Sequence, residues 1–237
     1  MRFSSPIYTL KRHAKQLARD NDIKLHEALD QVATKEGFND WSHLAANFSK
    51  ATPARKIMGQ LRSGDMVLIG ARPGHGKTLL GLELAALAEK NNRKSYVFSL
   101  EYNEADVWDR FAKLGLDQEA GTRPIVVDTS DEICAAYIIE RLGYRPGEAL
   151  VVIDYLQLLD QRRSNPALED QMRALKTFAV ESGAIVVLIS QIDRAFDLSS
   201  SAMPGLGDIR LPNPLELSLF DKRCFLHDGD IQIETAA

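Results

Sequence analysis

Residues 66–78 read Met66-Val67-Leu68-Ile69-Gly70-Ala71-Arg72-Pro73-Gly74-His75-Gly76-Lys77-Thr78. The apolar run 66–69 predicts a buried strand, a Pro/Gly-rich turn follows, and the spacing over 78–89 predicts a helix. A strand, a glycine-rich turn and a helix in that order are the setting of a phosphate-binding loop. Gly74 and Gly76 let the backbone curl so that its N–H groups face phosphate oxygens, and the helix start adds the positive end of its dipole. The expected nucleotide-binding set is Arg72, Pro73, Gly74, His75, Gly76, Lys77, Thr78 and Leu79, with the His75 side chain turned away from phosphate. Lys77 would reach the β- and γ-phosphates of ATP, and the Thr78 hydroxyl would ligate Mg2+. Ala71 stands where the first glycine of such loops is usual. The competing reading is an ordinary glycine-rich turn.

Working outward, β-branched apolar runs at 96–100, 125–127, 150–153 and 185–189 alternate with helical stretches at 104–113, 132–142 and 166–182. Strands alternating with helices imply βαβ units and a mostly parallel sheet covered on both faces, an α/β fold. Asn165 and Pro166 are expected to open the last of these helices, and Gly183 to close it. Residues 227–230, His-Asp-Gly-Asp, carry a hairpin signal between two short strands. The first 50 residues read differently. Leu10, Ala14, Leu17 and Ala18 share one helical face, and Leu25, Ala28, Leu29, Val32 and Ala33 share another. Gly37 is a stop, and Asn39 a cap for a last short helix carrying Trp41 and Leu44. The expected organisation is a small all-α domain over 1–50, a linker over 51–56 and the α/β domain over 57–237.

Three further positions belong with the phosphate loop. The run 150–153 ends in Asp154, where a carboxylate can hold Mg2+; the alternative is a strand-ending Asp that caps a turn. Glu101 ends the strand after the loop helix, at the edge that faces ligand in an open α/β sheet. It is either a group that orients an attacking water or a surface acid opening the next helix. Gln191 follows the run 185–189, and is either a sensor of the γ-phosphate or an ordinary polar strand end.

Composition narrows the classes. The chain has 237 residues, 29 Lys+Arg against 33 Asp+Glu, 45% hydrophobic and 26% charged residues. This excludes a mainly disordered chain, and no apolar run is long enough to span a membrane. The first six residues carry no signal-peptide h-region. Two cysteines, Cys134 and Cys224, make no disulfide framework and are expected to be buried thiols in a reducing, cytoplasmic setting. The five histidines show no metal-ligand spacing.

Four segments occur in order: Ala71-Arg72-Pro73-Gly74-His75-Gly76-Lys77-Thr78, Phe98-Ser99-Leu100-Glu101, Ile153-Asp154-Tyr155-Leu156-Gln157-Leu158 and Ile189-Ser190-Gln191-Ile192-Asp193-Arg194. Together they resemble the C-terminal ATPase domain of DnaB-type replicative DNA helicases, in the RecA-like P-loop superfamily, over about residues 57–234. In that family an Ala opens the loop. The resemblance implies a RecA-like fold, ATP and Mg2+ as ligands, Glu101 as catalytic base, Lys77 on the phosphates, Asp154 and Thr78 at the metal, and Gln191 coupling nucleotide state to DNA. It implies action on single-stranded DNA through loops that carry Arg162, Arg163, Arg194 and Arg210, and assembly into a homo-oligomer, a hexamer in the family. The family's Lys-x-Arg finger has no match at this spacing; Lys222-Arg223 lies in its region. The first 50 residues are of another kind than the family's large N-terminal domain, and the basic face Lys11, Arg12, Lys15 and Arg19 is either a surface for nucleic acid or an acidic partner or simply a solvated face. The expected function is therefore a helicase-like ATPase. The alternatives are a nucleotide-switched adaptor and an ATPase that remodels DNA complexes without unwinding.

Overall fold

A computed structural model of the protein describes residues 7–45, 52–114, 125–143, 148–159, 162, 164–199, 201–211, 213 and 215–236. The chain divides into two compact units, Met1–Lys56 and Ile57–Ala237.

In the first unit, α1 (Ile7–Asp20) and α2 (Leu25–Lys35) are followed by helical residues 41–45. Leu10 and Ala14 of α1 cluster with Ala28, Val32 and Ala33 of α2, and with Phe38 and Leu44. This is one apolar stripe per helix at i, i+4 spacing. Gly37, at φ +84°, takes the left-handed conformation just past the end of α2. Two expectations change. Leu25 stays 43% exposed because it opens α2 and lies outside the stripe. Asp40, not Asn39, caps the last helical turn, its carboxylate accepting from the His43 N–H at 2.7 Å.

A short helix, α3 (Pro53–Met58), fills most of the stretch expected to be a linker. The Thr52 hydroxyl accepts from the Arg55 N–H, and Pro53 takes the first helical position, where its missing N–H costs nothing. The proline that suggested a linker is a helix-start signal here.

The second unit is built on one seven-stranded sheet. Its strands are β1 (Met66–Ala71), β2 (Ser95–Ser99), β3 (Ile125–Asp128), β4 (Leu150–Asp154), β5 (Ile185–Gln191), β6 (Lys222–His227) and β7 (Asp230–Thr235), in the spatial order β3-β2-β4-β5-β1-β6-β7. Every neighbouring pair is parallel except β6 with β7. Among the described residues the helices of this unit are α4 (Lys77–Lys90), α5 (Glu104–Lys113), α6 (Ala135–Leu142) and α7 (Leu168–Ser182). All residues of β1 and β4 are buried, as a parallel sheet covered on both faces requires. The β6–β7 turn has Asp228 at φ +46° and Gly229 at φ +84°, the two-residue turn that the Asp-Gly pair favours.

Helix α4 packs close against the sheet. A Cβ on Gly81 would lie 2.8 Å from Ile189 Cδ1 and 3.0 Å from Val152 Cγ1, so the glycine permits this approach. Two helix starts differ from expectation. Helix α7 begins at Leu168, and Asn165 does not cap it; the Asn165 amide instead donates to Leu159 O at 2.8 Å. The buried Gln171 amide organises that corner, donating to Leu159 O and Pro166 O and accepting from the Ala135 N–H. Helix α6 begins at Ala135, because Asp128 and Ser130 side chains hold the residues before it in turns. Cys134 thus sits half-buried at a helix start, whereas Cys224 is buried in β6.

Candidate active site

Parallel strands place their C-terminal ends along one edge of the sheet. Register pairs Ala71 of β1 with Gln191 of β5, and Ser99 of β2 with Asp154 of β4. The ends that precede the phosphate loop, Glu101 and the residue after Asp154 therefore converge.

The loop runs from Arg72 to Gly76. Gly74 and Gly76 sit at φ +85° and +86°, and a Cβ at either would touch nothing within 4 Å. The requirement is therefore backbone conformation, not space. Lys77 opens α4 and is 6% exposed. Its Nζ lies 3.8 Å from Glu101 Oε2 and 5.8 Å from the centre of the Tyr155 ring. Thr78 donates its hydroxyl to Asp154 Oδ2 at 2.8 Å. The other carboxylate oxygen, Asp154 Oδ1, is buried without a hydrogen-bond partner. Burial raises the Asp154 carboxyl to about 6, against the opposing pull of the Thr78 hydroxyl and the Lys77 ammonium. A buried carboxylate with a free oxygen beside a hydroxyl is a hard, all-oxygen donor set, which suits Mg2+.

Gln191 reaches Tyr155 with its side chain, and its backbone carbonyl accepts from the Arg210 N–H at 2.8 Å. Sequence reasoning assigned nothing to Gln157, yet it joins three segments here. Its amide donates to Ser190 Oγ at 2.8 Å and to Arg210 O at 2.6 Å, and its carbonyl faces the Gln191 N–H at 3.4 Å. Arg72 was expected at the nucleotide. Its guanidinium forks onto the Asp197 carboxylate, at 2.9 Å from Nε and 2.8 Å from Nη2, and Nη1 donates to Ile192 O at 3.1 Å. Pro73 is exposed and Leu79 half-buried on the first turn of α4.

The structure also brings together His75 and His227, whose rings stack at 5.1 Å, with Asp228 beside them. Their ligand atoms lie within 4.8 Å of one another. The rings are parallel to within 6°, so their in-plane lone pairs do not converge, and His75 Nδ1 already accepts from the Asp228 N–H. The contact ties His75 to the β6–β7 turn. Among the residues expected at DNA, Arg162, Arg194 and Arg210 are exposed, and Arg163 lies outside the described residues. The bridge Ile192–Ile209 and the bond from Asp193 N to Asp208 O hold the Arg194 and Arg210 segments side by side. Lys222 donates to Thr235 Oγ1 and Arg223 to Leu217 O, so both are engaged within the unit.

A phosphate loop leaving β1, flanked by β5 and β6 in a mostly parallel sheet, with an acid closing β4, defines a P-loop domain of the RecA-like fold. The chain belongs to the family of DnaB-like helicase C-terminal domains, whose model matches residues 50–120 and 113–218. It is 28% identical to the replicative DNA helicase DnaB of Leifsonia xyli subsp. xyli over 221 residues, covering 80% of this chain and 48% of that protein. It is 24% identical to DnaB of Geobacillus stearothermophilus, covering 89% of this chain and 51% of the relative. The chain thus spans about half the length of these relatives. Among solved structures, a DnaB-like replicative helicase studied with primase superposes with a TM-score of 0.60 at 20% identity, covering 97% of this chain and 71% of that one. A solved ATPase domain superposes with a TM-score of 0.58 at 20% identity, covering 81% of this chain and 87% of that one. Both support the fold. Among the described residues no helix is long and apolar enough to cross a membrane.

Proposed function

We propose that this chain is an Mg2+-dependent ATPase of the DnaB type that acts on single-stranded DNA, with residues 57–237 as the ATPase domain and residues 1–50 as a separate helical domain. The observation that carries the reading is the pairing of the phosphate loop with Asp154, which Thr78 holds by one oxygen while the other stays unpartnered.

Each residue has a role that its surroundings allow. Gly74, Gly76 and the start of α4 supply backbone N–H groups to phosphate oxygens. Lys77, now near Glu101, turns its ammonium to the β- and γ-phosphates. Thr78 and Asp154 hold Mg2+, which when bound neutralises developing charge on the phosphate oxygens. Glu101, one-third exposed at its side chain, accepts a proton from the attacking water or orients it for in-line attack. Gln191, linked to Tyr155 and to the Arg210 backbone, relays the presence of the γ-phosphate to Arg194 and Arg210. These arginines, with Arg162 and Arg163, bind DNA phosphates without reading sequence. Assembly into a homo-oligomer, use of residues 1–50 to meet a protein partner, and a cytoplasmic location belong to the same reading.

One observation favours a second reading. Lys222 and Arg223 each donate within their own unit, to Thr235 Oγ1 and Leu217 O, and do not stand at the Lys-x-Arg spacing of the family's finger. A nucleotide-switched adaptor, slow to hydrolyse until a partner supplies that charge, fits this. Binding and hydrolysis of ATP, with and without Mg2+, for the wild type and Lys77→Ala, separate the readings. Mg2+- and Lys77-dependent turnover supports the ATPase. Tight ATP binding without turnover supports the switch, and no binding overturns both.

A further inference from the structure

Nothing in the reading above uses Asp197, which lies in the short 3-10 helix Arg194–Leu198 after β5. We propose that Asp197 is a positioning residue that, through Arg72, makes the phosphate loop and the Arg194-bearing segment one mechanical unit, so that nucleotide and single-stranded DNA affinities are linked through this pair. The proposal rests on the ATPase reading above and names one contact through which its two ligands communicate.

Arg72 is the first loop residue after β1, and its side chain is only 15% exposed. It points at the segment after β5. A forked guanidinium–carboxylate pair fixes orientation as well as distance, because two parallel N–H bonds resist rotation. The third bond, from Nη1 to Ile192 O, anchors the same guanidinium to the start of that segment. Asp193 caps the 3-10 helix by accepting from the Ala195 N–H at 2.8 Å, and Phe196 is buried, so Asp197 is held by a rigid turn. The Arg72 N–H bonds in turn hold the Asp197 carboxyl below its ordinary range. Arg194 lies at the start of this same turn, and Asp193 N bonds to Asp208 O, beside Arg210. A shift of the loop as phosphate enters is therefore delivered to the segment carrying these two cations.

Coupling between sites is a ratio of affinities, and it is reciprocal. A residue that merely stabilises the fold changes both affinities or the melting temperature, but not their ratio. The test titrates a fluorescent, non-hydrolysable ATP analogue with Mg2+, with and without saturating oligo(dT), on the full chain. The wild type is expected to show a Kd ratio of about fivefold or more. Asp197→Asn should bring the ratio to within about twofold of unity while leaving the DNA-free Kd near the wild-type value. Asp197→Glu, which keeps the carboxylate, should restore the ratio. A melting curve checks folding, and Asp197→Ser replaces Asp197→Asn if the latter does not fold. An Asp197→Asn ratio equal to that of the wild type overturns this proposal alone. A wild-type ratio of one overturns the linkage while leaving nucleotide binding in place. A wild type that binds no nucleotide overturns the reading beneath it.

Discussion

Thr78 Oγ1 donates to Asp154 Oδ2 at 2.8 Å, and that bond leaves Oδ1 buried with no partner. The arrangement is costly in the metal-free protein. The Asp154 carboxyl is raised from 3.8 to about 6 by burial, so the folded state holds a proton there more tightly than the unfolded chain does. The native state is then favoured at acid pH and loses that advantage as pH rises through about 6. In EDTA, the wild type should lose about 2 kcal/mol from this group between pH 4 and pH 7. Asp154→Asn should remove the dependence, raise the melting temperature at pH 7.5 and abolish Mg2+-dependent nucleotide binding. Denaturant titration across pH measures the first effect. Identical profiles for the two proteins would mean that Asp154 is not the strained group.

Lys77 and Glu101 face each other at 3.8 Å, so on the proposed reading each is a charge partner that a bound nucleotide would displace. Lys77→Ala should weaken ATP binding and remove hydrolysis. Glu101→Gln should cut turnover by about 100-fold or more, the scale of a lost general base, while ATP binds as tightly or more tightly because the ammonium is released. Equal loss of binding in both variants would assign Glu101 to the phosphate cradle and not to the water.

Gln157 bonds Ser190 Oγ and Arg210 O from a buried position. Gln157→Leu keeps the volume but leaves those groups unpaired, which costs about 1–3 kcal/mol. Urea unfolding should show that loss, and salt-sensitive binding to oligo(dT) should weaken because the Arg210 segment is no longer pinned. Unchanged stability would show that water replaces the amide.

Gly81 lets α4 lie against Ile189 and Val152. Gly81→Ala gains helix propensity, about 1 kcal/mol, but sets its Cβ 2.8 Å from Ile189 Cδ1 and 3.0 Å from the stiffer Val152 Cγ1, so the two offset and little net change is expected. Gly81→Val should cost about 1–3 kcal/mol by overpacking and should lower nucleotide affinity by tilting the start of α4. Thermal melts of the two variants compare them directly.

The sheet was legible because strands buried on both faces read as continuous apolar runs, and 66–69, 150–153 and 185–189 are such runs. Glu101, Asp154 and Gln191 could be placed at the sheet's edge because each follows an apolar run, 96–100, 150–153 or 185–189. Boundaries set by side chains reaching from elsewhere were not. Gln171, not Asn165, organises the start of α7, and Thr52 turns a Pro-containing stretch into α3. The pairs Arg72–Asp197 and His75–His227 and the Gln157 network join residues far apart in the chain, and no local spacing encodes them. The Asp228-Gly229 turn, by contrast, was local and could be read.

On the proposed reading, ATP is hydrolysed at the Lys77–Thr78–Asp154–Glu101 site in the service of single-stranded DNA. The most direct measurement is the steady-state rate of phosphate release with Mg2+ and ATP, with and without oligo(dT), for the wild type beside Glu101→Gln. A wild-type rate that rises with oligo(dT), and that Glu101→Gln reduces to background, is the predicted result. A rate indifferent to both the DNA and the substitution would contradict the account.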